Sequence, residues 1–72
     1  MITAQEIKVT ERLDGKPTKA IVSAFADTKE EVVPGMEIKN VPDDCDLEAG
    51  SSILSANGDV AFMKSDGTWN WI

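Results

Sequence analysis

The strongest constraint on the fold is a pair of tight-turn signals in the last third of the chain. Asn57-Gly58 and Asp66-Gly67 are each flanked by strand-forming residues, and both dipeptides favour two-residue type I′ hairpin turns. Together they predict a three-stranded antiparallel meander over residues 52–72. Two-residue turns would also fix which residues lie opposite one another in the sheet.

The predicted register builds an apolar row across one face of the meander. It places Ile53 opposite Phe62 and Phe62 opposite Trp71. Cross-strand aromatic and aliphatic pairs of this kind stabilise a sheet. The same register sets Lys64 opposite Trp69, where the ammonium group can lie against the indole. The two tryptophans are therefore expected to anchor the last strand.

The second face of the meander is also apolar. The predicted register gives it a row of Leu54, Ala61 and Ile72, with Met63 beside them, and leaves Val60 on the first face. A sheet that is apolar on both faces in so short a chain favours a homo-oligomer or a docked position in a larger assembly. The predicted interaction residues are Ile53, Leu54, Val60, Phe62, Met63, Lys64, Trp69, Trp71 and Ile72, and the predicted turn residues are Asn57, Gly58, Asp66 and Gly67.

The first third of the chain is predicted to form a β-hairpin. Residues 5–13 alternate between apolar and polar side chains, which is typical of a half-buried strand. A capping box of Thr3 and Glu6 favours a helix instead, but no single helical face would collect Ile7 and Val9. Turn formers at residues 14–17 reverse the chain.

Residues 18–26 are predicted to form the returning strand of this hairpin. An even loop would set Val22 beside Ile7, whereas an odd loop would set Ile21 there, and the sequence leaves both registers open. After the strand, Asp27 or Thr28 can cap a single helical turn over residues 29–31.

The middle of the chain is predicted to contain a short strand and an acidic loop. Residues 36–41 alternate briefly, and residues 43–48 are rich in carboxylates without the spacing of a calcium loop. We therefore predict one mainly β domain, with a small α+β fold as the alternative. Its parts are an N-terminal hairpin and helical turn (1–33), a connecting strand and acidic loop (34–51) and the meander (52–72).

Composition narrows the possible functions. The chain of 72 residues has 13 acidic and 7 basic residues, a net charge of -6 and no histidine. A negative surface disfavours nucleic acids and anionic membranes as partners. The lone Cys45 has no basic neighbour that would activate its thiol. We expect no enzyme activity, cofactor or metal site, and synthesis in a reducing cytoplasm.

The C-terminal part resembles small, mostly uncharacterised proteins encoded in the structural gene modules of tailed phages and prophages of Gram-positive bacteria. The likeness rests on AGSSILSANGDVAFMKSDGTWNWI (residues 49–72), with a proline-containing loop at 40–44 before it and FADTKEEV (residues 25–32) upstream. It is strongest after Gly50. The resemblance implies a minor head or tail component or an assembly partner, and it carries no catalytic residues.

Three functions follow from these observations. The leading one is a phage protein made in the host cytoplasm, either a minor component of the virion or an assembly component. It would act by binding itself or other phage structural proteins. One alternative is an acidic inhibitor of a host nucleic acid enzyme, using the carboxylates of residues 43–48. The other is a carbohydrate-binding module that uses exposed Trp69 and Trp71.

Overall fold

The computed structural model describes all 72 residues, Met1–Ile72, and shows a mainly β protein. Its strands are β1 (Ile2–Leu13), β2 (Lys16–Ala26), β3 (Ile38–Lys39), β4 (Asp46–Leu47), β5 (Ser52–Ser55), β6 (Val60–Met63) and β7 (Trp69–Trp71). They form one mixed sheet in the order β3-β1-β2-β5-β6-β7, with β4 also beside β2. The predicted fold class, including the N-terminal hairpin and the antiparallel meander, is confirmed.

The N-terminal hairpin turns through a two-residue loop. Asp14 and Gly15 both have positive φ angles, of 52° and 79°, which a type I′ turn requires. Leu13 is paired with Lys16, and further along the strands Ile7 is paired with Val22. The even register is therefore the one that forms, and the helix suggested by the N-terminal capping box does not.

The only helical element is a 3₁₀ turn at Lys29–Glu31. The backbone N–H of Thr28 donates to the Glu31 carboxylate at 2.9 Å, so the predicted single turn is confirmed and Thr28 begins it. Because this turn has three residues, no helix of the chain could span a bilayer.

One face of the sheet, here called the inner face, holds the core. Its fully buried side chains include Val22 and Ile53. The middle segment, residues 27–51, packs over this face. Val32 and Ile38 pack against the buried cluster that contains Ile53, and Leu47 packs against the buried cluster that contains Val22. The predicted strand at residues 36–41 is shorter than expected, since β3 has only two residues.

The predicted register of the meander is wrong by one residue at both corners. Ile53 lies opposite Ala61, and Ala61 lies opposite Trp71, so Phe62 is not in that row. Each corner is a three-residue loop in which only the glycine, Gly58 or Gly67, has a positive φ. A type I′ turn needs two such residues, so the observed loops fit the three-residue hairpin that ends in a glycine bulge.

Candidate functional site: the outer face and the tryptophan groove

The register shift decides which side chains face solvent. Alternate residues of a strand point to opposite faces of the sheet. A shift of one residue in the pairing of β5 with β6 therefore places Phe62 and Val60 on the face opposite Ile53. They join Leu54 and Ile72 on the face opposite the core, here called the outer face. Ile72 is placed there by its N–H, which donates to the Val60 carbonyl at 2.9 Å.

The outer face is an exposed apolar surface. Leu54, Phe62 and Ile72 keep 45%, 41% and 80% of their surface accessible. Phe25 lies opposite Leu54 across the β2–β5 pairing and is half-buried. The packed middle segment lies on the inner face, so these side chains form one continuous patch that solvent reaches.

Two predicted members of the second face lie on the inner face instead. Ala61 is fully buried opposite Ile53, and Met63 is paired with Trp69. The small side chain of Ala61 lies between Ile53 and Trp71 in this row. The predicted row of Leu54, Ala61 and Ile72 is therefore replaced by Leu54, Val60 and Ile72.

The predicted contact between Lys64 and Trp69 does not form. Lys64 is paired through its backbone with Thr68, at the end of the three-residue loop. The cation that reaches an indole is Lys29, whose Nζ lies 5.0 Å from the centre of the Trp71 ring. The 3₁₀ turn thus lies next to the last strand, which a reading of local sequence alone could not reveal.

The two tryptophans line a groove of about 460 Å³ on the inner side. The remaining walls come from the middle segment and the β6–β7 hairpin; the lining residues are Val32, Val33, Pro34, Gly35, Met36, Ile38, Leu47, Met63, Gly67, Thr68, Trp69 and Trp71. Its volume lies within the range of small-molecule sites. Sequence reasoning missed the wall at residues 32–38, although the apolar run Val32-Val33 just after the helical turn was the available signal.

The carboxylates of the acidic loop are not gathered around one point. No group of three or more potential ligand side chains comes together anywhere in the chain. Glu48, one of the loop carboxylates, accepts a hydrogen bond from the Thr10 hydroxyl, and Glu48 N–H donates to the Ala20 carbonyl at 2.8 Å. These bonds attach the end of the loop to the hairpin.

Cys45 lies in the packed middle segment near Val41 and Leu47. Burial raises the pKa of its thiol, and the negative charge of Asp46 raises it further. A raised pKa lowers the fraction of thiolate at neutral pH, which is the opposite of what a nucleophile needs.

Comparisons of the chain with protein-family models, with curated proteins and with solved structures found no match.

Proposed function

We propose that the protein is a non-enzymatic binding protein that attaches to another protein through the outer face of its sheet. The observation that carries this proposal is the exposure of Leu54, Phe62 and Ile72 on one continuous surface. Contiguous exposed apolar side chains of this kind mark sites of association. Since the inner face is packed against the middle segment, the outer face is the face of the sheet that remains open to a partner.

The partner that we propose is a structural or assembly protein of a phage particle. The likeness of residues 49–72 to proteins of phage structural gene modules supports this choice. That stretch contains the three strands β5, β6 and β7 and the two loops that join them. Association would bury Phe62, and phenylalanine is among the aromatic residues that are enriched in the buried cores of protein interfaces.

The test is capture of the partner on immobilised protein. Lysate from the bacterium that carries the gene, after phage induction, is passed over the wild type and over Phe62→Ser, and the retained proteins are identified by mass spectrometry. The control is Leu13→Ser, because Leu13 is 67% exposed at the far tip of the hairpin. We expect a phage structural protein on the wild type and the control, and about tenfold less on Phe62→Ser, which corresponds to a contact worth about 1.4 kcal/mol.

Two results would count against this function. Equal retention of the phage protein by Phe62→Ser and by the wild type would show that the outer face is not the docking surface. A wild-type column that retains no structural protein of the particle would remove the proposed partner.

The tryptophan groove supports a second candidate function, the binding of a carbohydrate. Trp69 and Trp71 are two residues apart on β7, so both indoles project to the same side of the sheet and into the groove. Flat indole faces can stack on the apolar face of a sugar ring. Titration with tri-N-acetylglucosamine should shift the tryptophan emission of the wild type and not of a Trp71→Ala variant, whereas an unchanged wild-type spectrum rejects this candidate.

A further inference from the structure

The outward edge of β1 is largely free of partners. β1 is paired with β2 along its length, but on its other edge β3 is paired only with Ile2 and Thr3. The side-chain nitrogen of Asn40, just after β3, reaches the Ala4 carbonyl at 3.5 Å. No strand continues this edge beyond Ala4, and unpaired strand edges of this kind are templates for another strand.

The usable part of this edge is short and has definite ends. The pairing of β1 with β2 is irregular between Ala4 and Glu6 and again between Val9 and Glu11, which makes Gln5 and Thr10 extra residues in β1. Such bulges bend the strand and interrupt the edge. The regular part of the free stretch therefore runs from Glu6 to Val9.

Symmetry restricts how two copies of this edge can pair. Residues that lie opposite each other in antiparallel strands point to the same face of the sheet, and neighbours along a strand point to opposite faces. A two-fold axis between identical strands must therefore pass beside a residue that lies opposite its own copy. Within the regular part of the free stretch, the choices are Glu6, Ile7, Lys8 and Val9.

Charge selects one of these four registers. Axes at Glu6 or Lys8 place like charges directly opposite each other, which destabilises a sheet. An axis at Val9 sets Lys8 opposite the bulged Thr10. An axis at Ile7 sets the two Ile7 side chains against each other and pairs Glu6 with Lys8 of the second copy, twice.

The side chains needed for this register are available. Glu6 and Lys8 are exposed, and neither takes part in an ion pair within the chain. Ile7 is 36% exposed. We propose that two copies of the chain associate through the edges of β1, antiparallel about a two-fold axis at Ile7, to form one continuous sheet across the dimer.

This interface is separate from the outer face and does not rest on the proposed function. The dimer would carry two outer faces on one extended sheet. Both faces could bind the phage particle at the same time. Two-point attachment raises overall affinity without any new contact at either point.

A charge-reversal cycle tests the register. Sedimentation equilibrium gives the dimer dissociation constant for the wild type, Glu6→Lys, Lys8→Glu and the double variant. Each single reversal opposes like charges twice, and we expect it to weaken the dimer by about tenfold or more; the double variant restores opposite charges and should return to within about threefold of the wild type. The control Glu30→Lys makes the same charge change at an exposed site away from the edge and should leave the constant unchanged.

A disulfide test fixes the position of the axis. In a Cys45→Ala background, Ile7→Cys places two thiols opposite each other, where Cβ atoms are about 4.5–5.5 Å apart and a disulfide can form after a small adjustment. Glu11→Cys, on the same exposed strand, is the control. We expect mild oxidation to give a covalent dimer with Ile7→Cys and little with Glu11→Cys.

The proposal is overturned by a wild type that stays monomeric at millimolar concentration, by a double charge variant that dimerises no better than the single ones, or by equal cross-linking at both cysteine positions. These results leave the capture experiment with Phe62→Ser untouched, because that experiment reports on the other surface.

Discussion

The hydroxyl oxygen of Ser51 accepts a hydrogen bond from the backbone N–H of Val22 at 3.1 Å, and both residues are buried. The bond lies at a break in the sheet. Upstream, β2 is paired with β4 at Lys19 and Ala20; downstream, it is paired with β5 from Ser23 onward. Ser51 thus supplies the acceptor for a peptide group that lies between the two partner strands.

Ser51→Ala should destabilise the protein by about 1–3 kcal/mol, because the Val22 N–H would remain buried without an acceptor. Chemical denaturation measures this difference. The control is Ser52→Ala, since Ser52 is only half-buried and lies on the outer face. Equal losses of stability in the two variants would contradict the role given to Ser51.

Gly67→Ala should cost about 1–2 kcal/mol, because Gly67 has a φ of 85° and a side chain at this angle meets its own backbone. A Cβ atom there would meet no other atom within 4 Å, so the whole cost belongs to the backbone. Ser65→Ala, in the same loop, should change the unfolding free energy by less than about 0.5 kcal/mol. A Gly67→Ala variant as stable as the wild type would exclude the three-residue loop described above.

The sequence is sufficient to predict the hairpin, the helical turn and the meander, because these are local structures with local signals. It could not predict the register of the meander. Asn57-Gly58 fits a two-residue loop, and it fits equally well the last two positions of a three-residue loop. What distinguishes them is φ at Asn57, together with the burial of Ala61, and both depend on the packing of the whole chain.

The pairings between distant segments also lie beyond local sequence patterns. β2 and β5 are parallel neighbours although residues 27–51 separate them. The sequence of Ser52–Ser55 does not indicate which strand it pairs with. The candidate site shares this limit. Leu54 and Ile72 were predicted from alternation to share a face. Phe62 was placed on the wrong face because the extra loop residue at the first corner reverses the faces of β6, and the extra residue at the second corner restores those of β7.

The carboxyl group of Asp66 should titrate below its usual range. The Thr68 hydroxyl donates to it at 2.6 Å and the Thr68 N–H at 3.0 Å, and the first of these bonds is the largest cause of the lowered pKa. Since the folded pKa is below the unfolded one, the stabilisation is present above the unfolded pKa and is lost as the pH falls through the folded pKa.

Thr68→Val should therefore raise the pKa of Asp66 towards its usual value, because the hydroxyl donor is removed while the backbone donor remains. Titration of the Asp66 side-chain carbon by NMR measures the change. Thr18→Val, which removes a hydroxyl that donates to Glu11 instead, should leave the pKa of Asp66 where it was. An Asp66 pKa that does not respond to Thr68→Val would refute the assigned cause.

Lys29→Met should cost about 0.5–1 kcal/mol, because it removes the cation that lies over the Trp71 ring while keeping an apolar stem of similar length. Lys64→Met is the matched control and should be nearly neutral, since Lys64 does not contact an indole ring in the observed register. Each variant is also made in a Trp71→Leu background. The resulting double-mutant cycle of unfolding free energies gives the interaction energy between each lysine and Trp71. A larger effect at Lys64 than at Lys29 would favour the two-residue turns instead.

The unfolding free energy of Phe62→Ser is the most direct test of the account, because the docking surface exists only if Phe62 lies outside the core. With 41% of its surface exposed on the outer face, Phe62 should contribute less to folding than a core residue, and we expect a loss of about 1–2 kcal/mol. Removal of a buried phenylalanine costs about 3–5 kcal/mol. A loss of that size would place Phe62 in the core beside Ile53 and Trp71, and it would contradict both the observed register and the outer face built on it.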